Sequence, residues 1–187
     1  DQSTDTPTNN FCTINPLSIG ANLTVAQGNL HATGGSGHNR AMCTHLIPSG
    51  GKWYWEVFVK TVGGTHPAIG VDPAITTNEN GIYVGATAGG WGIYGGGGVN
   101  GTSGNGGTYA SYTTGDIIGT FIDLDNGKLW WHIRGTWYTA YTGNIGVPAS
   151  GTYPSFDNVL DKFDATKDYL VPAEGGSYLY GPTGYFN

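Results

Sequence analysis

The chain has 187 residues, which fits a single domain that can bury roughly 70% of its unfolded surface. Charged residues make up 11%, aromatic residues 13%, and there are 34 glycines, whereas disordered chains combine few aromatics with high charge. A net charge of −6, scattered Lys and Arg, and no apolar run of roughly 20 residues argue against a nucleic-acid partner and a membrane span.

The chain begins at Asp1 and shows no signal peptide, so we expect a trimmed product or an excerpt of a longer protein. Two cysteines, Cys12 and Cys43, leave open either a disulfide or two separate buried thiols, because spacing alone does not place their Cα atoms within bonding reach.

In chain order, the hydrophobic pattern predicts short strands and very little helix. "GKWYWEVFVK" alternates with a period of two, which places Trp55 and Val57 on one face and Tyr54, Glu56 and Phe58 on the other. Further strands are predicted in "NLTVAQ", "NLHATG", "HPAIGVD", "GIYVGA", "DIIGTFIDLD" and "KLWWHIRG". The only helical candidate, "NVLDKFDATKDYL", is expected to form one or two turns. Turn residues at short intervals favour two packed antiparallel sheets.

Glycine is most concentrated at residues 89–115, and four in a row at Gly95–Gly98 cannot form a packed strand interior. The segment is longer than ordinary connections, so we expect a functional or mobile loop. Its aromatic residues can either be displayed at a tip or anchor the two ends: Trp91, Tyr94, Tyr109 and Tyr112. No phosphate-binding loop motif is present.

The stretch "FIDLDNGKLWWHIRG", residues 121–135, allows three interpretations. The spacing of a calcium loop fails, since Gly127 and Arg134 stand where oxygen ligands are needed. Asp123 and Asp125 can share a strand face, so paired catalytic carboxylates stay possible. The favoured interpretation is a hairpin with a two-residue type I′ turn at Asn126–Gly127.

Metal and nucleophile motifs are weak. Soft-ligand residues occur at His31, His38, Cys43 and His45, but their spacing matches no zinc pattern, and we expect no metal or other cofactor. "GGSGH" lacks both the second glycine and the preceding strand of a nucleophile elbow.

The order of four segments resembles the SPRY domain: "SGGKWYWEVFV", "AIGVD", "GWGIYG" and "TGDIIGTFIDLDNGKLWWHIRG". The matching positions are Gly51, Lys52, Tyr54, Trp55, Glu56, Val57, Ile69, Gly70, Val71, Gly115, Asp116, Ile118, Gly119, Asp123, Leu124, Asp125 and Gly127. Arg134-Gly135 departs from the family's usual Asn-Gly. The Gly-rich segments also resemble those of SPRY domains that are embedded in bacteriophage tail and other virion structural proteins.

This resemblance implies an all-β fold, a bent two-sheet antiparallel β-sandwich of the concanavalin-like jelly-roll kind that binds rather than catalyses. We expect a lead-in at 1–16, the sandwich at 17–156 and a Gly/Tyr-rich extension at 157–187. The aromatic loop residues are the predicted ligand-binding site: Trp91, Tyr94, Tyr109, Tyr112, Trp137, Tyr138 and Tyr141.

Three functions follow. The first is a virion-surface module that binds a host-surface glycan or protein. The second is a structural module that contacts only other virion proteins. For either virion module the resemblance implies a homo-oligomer, since fibre-like virion proteins are commonly trimers. The third and least favoured is a glycan-cleaving enzyme that uses Asp123 or Asp125 with Glu56.

Overall fold

Strands account for nearly all of the regular structure in the computed structural model. The described residues are 12–34, 38–62, 67–74, 81–101, 109–139, 145–162, 170–175 and 179–180. Their strands are β1 Ile14–Ile19, β2 Leu23–Ala26, β3 His31–Gly34, β4 Arg40–Cys43, β5 Lys52–Phe58, β6 Ala68–Pro73, β7 Trp91–Tyr94, β8 Val99–Gly101, β9 Ile117–Asp123, β10 Lys128–Ile133, β11 Thr136–Tyr138, β12 Leu170–Gly175 and β13 Leu179–Tyr180. The other regular elements are a 3₁₀ turn at Pro148–Ser150 and one helical turn, α1, at Val159–Lys162. No helix in these ranges is long and apolar enough to cross a bilayer.

The strands pair into two antiparallel sheets. The six-stranded sheet has the order β1-β4-β12-β6-β7-β8, and the seven-stranded sheet has the order β11-β10-β9-β5-β13-β3-β2. The predicted C-terminal extension, residues 157–187, therefore contributes β12 to one sheet and β13 to the other. This architecture confirms the predicted all-β antiparallel sandwich.

The core lies between the two sheets and is rich in aromatic side chains. Along β5, Trp55 and Val57 point into it and Phe58 points out, which confirms the predicted alternation. The inward residues of β9 and β10 meet those of β6 and β7, among them Ile118, Ile122, Trp131, Ile69, Val71, Trp91 and Ile93. Burying one such side chain stabilises the folded protein by roughly 1.5–3 kcal/mol. The face of each strand that carries these side chains is therefore the internal one.

The hairpin predicted at residues 121–135 is present, but its first turn differs from the prediction. Four residues separate Asp123 from its partner Lys128. Asp123 shapes the loop by accepting hydrogen bonds from the Asn126 backbone N–H at 3.1 Å and from its side-chain Nδ2 at 2.9 Å. A type I′ turn needs positive φ at both central residues, and here Gly127 has it while Asn126 does not. The prediction of that turn type is wrong.

The two-residue turn lies one hairpin later, between β10 and β11. Ile133 pairs with Thr136, and the intervening Arg134 and Gly135 have φ of 53° and 78°. The Arg134 guanidinium reaches back to Asp116 Oδ2 at 2.7 Å, which holds an arginine in a conformation that usually favours Asn or Gly.

The strand predicted at residues 81–86 is wrong. This segment is a loop that packs over the outward side of the six-stranded sheet, with Val84 fully buried. The Val84 carbonyl accepts a hydrogen bond from the Tyr94 hydroxyl at 2.8 Å, and the Gly85 N–H is 3.1 Å from Asp72 Oδ2. Side chains thus satisfy backbone groups that a neighbouring strand would otherwise satisfy. A Cβ atom on Gly92 would meet the Val84 oxygen at 2.6 Å, so the bare backbone permits this close packing.

The Gly-rich segment at 89–115 is only partly a loop. It contains β7 and β8, which pair with each other and bury Ile93 and Val99 in the core. Gly95–Gly98 form the connection, as expected of glycines that offer nothing to pack. Residues 102–108 lie outside the described residues.

Candidate functional site

Three of the predicted binding residues lie inside the sandwich. Trp91, Tyr109 and Tyr112 are buried and belong to the main core. Tyr112 donates to the Pro67 carbonyl at 2.5 Å, and the Tyr109 N–H donates to the Gly97 carbonyl at 2.7 Å. Burial raises the pKa of Tyr109 to about 12. In this conformation the three side chains anchor the Gly-rich segment and offer no surface to an external ligand.

Tyr94 also holds structure in place. It is half-buried against the outward side of the six-stranded sheet, and Tyr83 packs edge-on against it with ring centroids 6.0 Å apart. Burial raises its pKa. Its hydroxyl hydrogen bond to Val84 fastens the 81–90 loop. Tyr141 lies outside the described residues, so binding by that residue stays a prediction.

The two remaining predicted residues are on β11. Tyr138 is half-buried and packs on Tyr109, with ring centroids 5.7 Å apart. Trp137 points to the opposite side of the strand, where its ring meets His132 edge-on at a centroid distance of 4.8 Å. Of the described residues in the predicted site, Trp137 is the one on an open sheet face.

That sheet face carries a group of residues which we call the outer aromatic face. It is the solvent side of β5, β9, β10 and β11 and consists of Tyr54, Glu56, Phe58, Ile117, Phe121, His132 and Trp137. Phe58 is 36% exposed and Ile117 is 42% exposed, while the aromatic rings beside them are half-buried. Phe121 bridges the group, with centroid distances of 6.5 Å to Trp137 and 5.6 Å to the buried Trp130.

A chain of hydrogen bonds fixes the polar groups of this face. The Gly135 N–H donates to His132 Nδ1 at 3.2 Å, which leaves the imidazole proton on Nε2. Nε2 donates to the Tyr54 oxygen at 2.8 Å, and the Tyr54 hydroxyl donates in turn to Glu56 Oε1. Burial lowers the pKa of His132, against an opposing effect of the Glu56 charge, and burial together with Glu56 raises the pKa of Tyr54. His132 is therefore neutral near pH 7, with the Nε2 proton directed at Tyr54.

Gly119 makes this geometry possible. It lies between Glu56 on β5 and His132 on β10. A Cβ atom there would fall 2.0 Å from His132 Nε2 and 2.8 Å from the Tyr54 oxygen. Because the position is glycine, the imidazole can lie across β9 and reach Tyr54.

The aspartates of the hairpin have structural partners. Asp123 binds Asn126 and pairs with Lys52 Nζ at 3.5 Å, and Asp125 accepts a hydrogen bond from the Gly51 N–H at 2.7 Å. Glu56 and Asp123 lie four residues apart along the β5–β9 ladder, about 13 Å at the usual strand rise. Glycosidase carboxylates are roughly 5–9.5 Å apart, so this pair does not have the spacing of that chemistry.

The cysteines are unbridged thiols that are buried in the same cluster. A hydrogen bond with Cys43 lowers the pKa of Cys12 to about 6. Burial opposes this shift, and smaller effects of His45 add to it. Within the described ranges, no three His, Cys, Asp or Glu side chains converge as metal ligands would.

The sequence predicted Trp137 as a binding residue and named Glu56 only as part of a catalytic pair, and it gave no role in a site to Tyr54 or His132. Alternation had put Tyr54, Glu56 and Phe58 on one face, and that signal was sufficient to mark an outward surface. What it lacked was the register that sets Glu56 opposite Gly119 and Gly119 opposite His132.

Comparisons with known proteins agree with this architecture. A model of the SPRY domain family matches residues 52–156. The SPRY domain of human HERC1 is 17% identical with a TM-score of 0.62, and the match covers 91% of this chain and 93% of that one. The TRIM65 PSpry domain is 14% identical with a TM-score of 0.56, covering 94% and 92%. A human SPRY domain is 15% identical with a TM-score of 0.56, covering 87% and 95%. A comparison with curated protein sequences gives no significant match.

Proposed function

Because the chain belongs to the SPRY family, whose domains are generally protein-interaction modules, we propose that it is a non-enzymatic module that docks a protein partner on the outer aromatic face. The family is typically non-enzymatic, and the carboxylate spacing described above fits that role.

The observation that carries the proposal is the exposure of apolar side chains on the same sheet face as one half-exposed tryptophan. Phe58 and Ile117 are neighbours in the β5–β9 ladder, and both are more than a third exposed. Trp137 stands on β11 at the edge of the same sheet. Exposed apolar patches with an aromatic anchor are typical of protein interfaces, where Trp and Tyr contribute most of the binding energy.

A glycan is the second candidate ligand. Half-exposed Trp137 and Tyr54 present ring faces on which a sugar can stack, and the Glu56 carboxylate can accept hydrogen bonds from its hydroxyl groups. A host-surface ligand, a place on a virion, contacts with other virion proteins and a trimeric state stay predictions from the sequence.

The test uses the purified domain with a displayed random-peptide library and a glycan array in parallel. We expect the library to yield peptides whose binding is abolished by Trp137→Ala and weakened by Phe58→Ser. Leu17→Ser is the matched control, because it removes a 94% exposed leucine from the other sheet.

Peptides that bind the Trp137→Ala variant as well as the wild type would contradict the outer aromatic face as the docking surface. If the library yields no peptide and glycans bind in a Trp137-dependent way, the second candidate replaces the first.

A further inference from the structure

Glu56 is an acidic residue among the aromatic and apolar side chains of the outer aromatic face. In the β5–β9–β10–β11 register, its row holds Gly119, His132 and Trp137. The rows on either side of it present the uncharged side chains Tyr54, Phe121, Trp130, Phe58 and Ile117. Arg134 follows beside Ile117, to whose carbonyl its N–H donates, and its guanidinium is paired with Asp116 at 2.7 Å. With His132 held neutral, the Glu56 carboxylate is the one formal charge among the seven residues of the outer aromatic face.

The carboxylate is oriented, and part of it is open to a ligand. Its side chain is 37% exposed. Within the described part of the chain, its contacts go to Oε1: the Tyr54 hydroxyl donates to that oxygen, and His132 Nε2 lies 3.7 Å from it. These contacts fix the rotamer from one side and leave Oε2 for an external donor.

Basic side chains on or beside the same strands already have partners. Lys52 pairs with Asp123 at one end of β5, and Arg134 pairs with Asp116 after β10. The chain as a whole carries a net charge of −6, which attracts cations at long range and repels anions.

The walls beside Glu56 are aromatic. The Tyr54 and Trp137 rings have centroids 6.3 Å apart at an interplanar angle of 54°, and Phe121 stands against Trp137 at 83°. Aromatic faces meeting at a corner next to a carboxylate are suited to a cation, which gains from both the ring quadrupoles and the ion pair. A guanidinium fits best, because it can stack on a ring while it donates to a carboxylate.

We propose that Glu56, Tyr54 and Trp137 form a receptor for one basic side chain of the protein partner, preferably an arginine. The proposal rests on the proposed function and names the chemistry that this docking surface recognises. Phe58 and Ile117 then contact apolar residues that flank the basic one.

The test is a titration of the ¹⁵N-labelled domain with two isosteric probes, N-acetyl-arginine methylamide and N-acetyl-citrulline methylamide, of which only the first is charged. The reporters are the Trp137 indole N–H and the Gly135 amide, which donates to His132. We expect saturable shifts with the arginine probe and about tenfold weaker binding of the citrulline probe.

Glu56→Gln preserves the shape and removes the charge, and it should reduce arginine binding to the citrulline level. Asp125→Asn is the control, since it removes one charge at the hairpin turn while keeping an acceptor for the Gly51 N–H. Equal binding of the two probes, or arginine shifts that persist in Glu56→Gln, would overturn the proposal.

The library peptides separate this inference from the proposed function. If Trp137→Ala abolishes their binding and Glu56→Gln does not, the docking surface stands and the basic-residue receptor is refuted. If neither variant affects binding, both are refuted.

Discussion

Gly119 has no side chain, and His132 occupies the space that a Cβ atom would need. Gly119→Ala would place a methyl group 2.0 Å from His132 Nε2, so the imidazole must leave Tyr54. We expect the free energy of unfolding to fall by about 1–3 kcal/mol, the usual cost of overpacking. Urea denaturation measures this loss, and the Trp137 indole N–H resonance should shift because its ring contacts His132.

Gly98→Ala is the matched control, since a Cβ atom at Gly98 meets nothing within 4 Å. If Gly119→Ala is no more destabilising than Gly98→Ala, His132 does not occupy that position in solution.

The state of His132 makes stability depend on pH. Burial lowers its pKa below the ordinary value of 6.5, so the unfolded chain binds a proton more readily than the folded one. The contribution of neutral His132 to the free energy of unfolding is therefore fully present above about pH 6.5. It is lost as the pH falls towards the pKa of His132 in the folded protein. Protonation also turns Nδ1 into a donor facing the Gly135 N–H.

We expect the urea midpoint of the wild type to drop between pH 7.5 and pH 5.5. His31 contributes in the same direction, because burial lowers its pKa too. The comparison with His132→Gln isolates the part due to His132, which should make the variant's midpoint less sensitive to pH. Parallel profiles for the two proteins would contradict a neutral, hydrogen-bonded His132.

Among the elements, the hairpin of β10 and β11 has an arginine at a turn position that usually holds Asn or Gly. Arg134 adopts a left-handed conformation, which costs roughly 1–2 kcal/mol for a residue with a Cβ atom. Its ion pair with Asp116 is half-exposed, and such pairs contribute about 0–1 kcal/mol.

We therefore expect Arg134→Asn to change the free energy of unfolding by less than about 0.5 kcal/mol, because Asn tolerates this conformation and offsets the lost ion pair. Arg134→Val should destabilise by about 1–2 kcal/mol, since a branched side chain tolerates it poorly. Thermal and urea denaturation of the two variants give the ranking, and the reverse order would contradict a type I′ turn here.

Much of the fold could be predicted from patterns within a few residues of one another. Alternation in β5 depends only on neighbours, and it placed Trp55 inside and Phe58 outside as the structure has them. The turn type predicted at Asn126–Gly127 is wrong because the loop is shaped by the Asp123 side chain, four positions before Gly127. Its carboxylate accepts a hydrogen bond from the Asn126 N–H. The strand predicted at residues 81–86 is wrong because this segment packs on the face of a sheet whose residues are distant in the sequence.

The site was harder to predict for the same reason. Glu56, Gly119 and His132 meet only through the pairing of three strands, and no local pattern encodes that register. Burial of Trp91 and Tyr109 likewise depends on the opposite sheet. An aromatic residue in a Gly-rich segment looks the same in sequence whether it anchors the segment or displays a ring.

At the scale of the whole molecule, the outward sides of the two sheets differ. The six-stranded sheet is covered by the 81–90 loop, whose Val84 is fully buried. The loop is fastened by Arg40, which lies 3.2 Å from Asp72 and donates to Thr87 at 2.8 Å. The outer aromatic face of the seven-stranded sheet has two exposed apolar residues, Phe58 and Ile117. Leu17 on the edge strand β1 of the six-stranded sheet is also exposed, so the group of aromatic rings, rather than exposure alone, is the reason to seek the partner on the second face.

The ion pair under the loop gives the last prediction. Arg40 and Asp72 are both fully buried, so Asp72→Asn leaves a buried cation without its carboxylate. We expect a loss of about 3–5 kcal/mol in the free energy of unfolding, against about 0–1 kcal/mol for Lys52→Met, which breaks a pair whose lysine is exposed. The Gly85 amide donates to Asp72, so its hydrogen exchange should accelerate more than that of the Gly135 amide on the other sheet. Equal acceleration at both amides would mean that the pair stabilises the sandwich globally rather than fastening the loop.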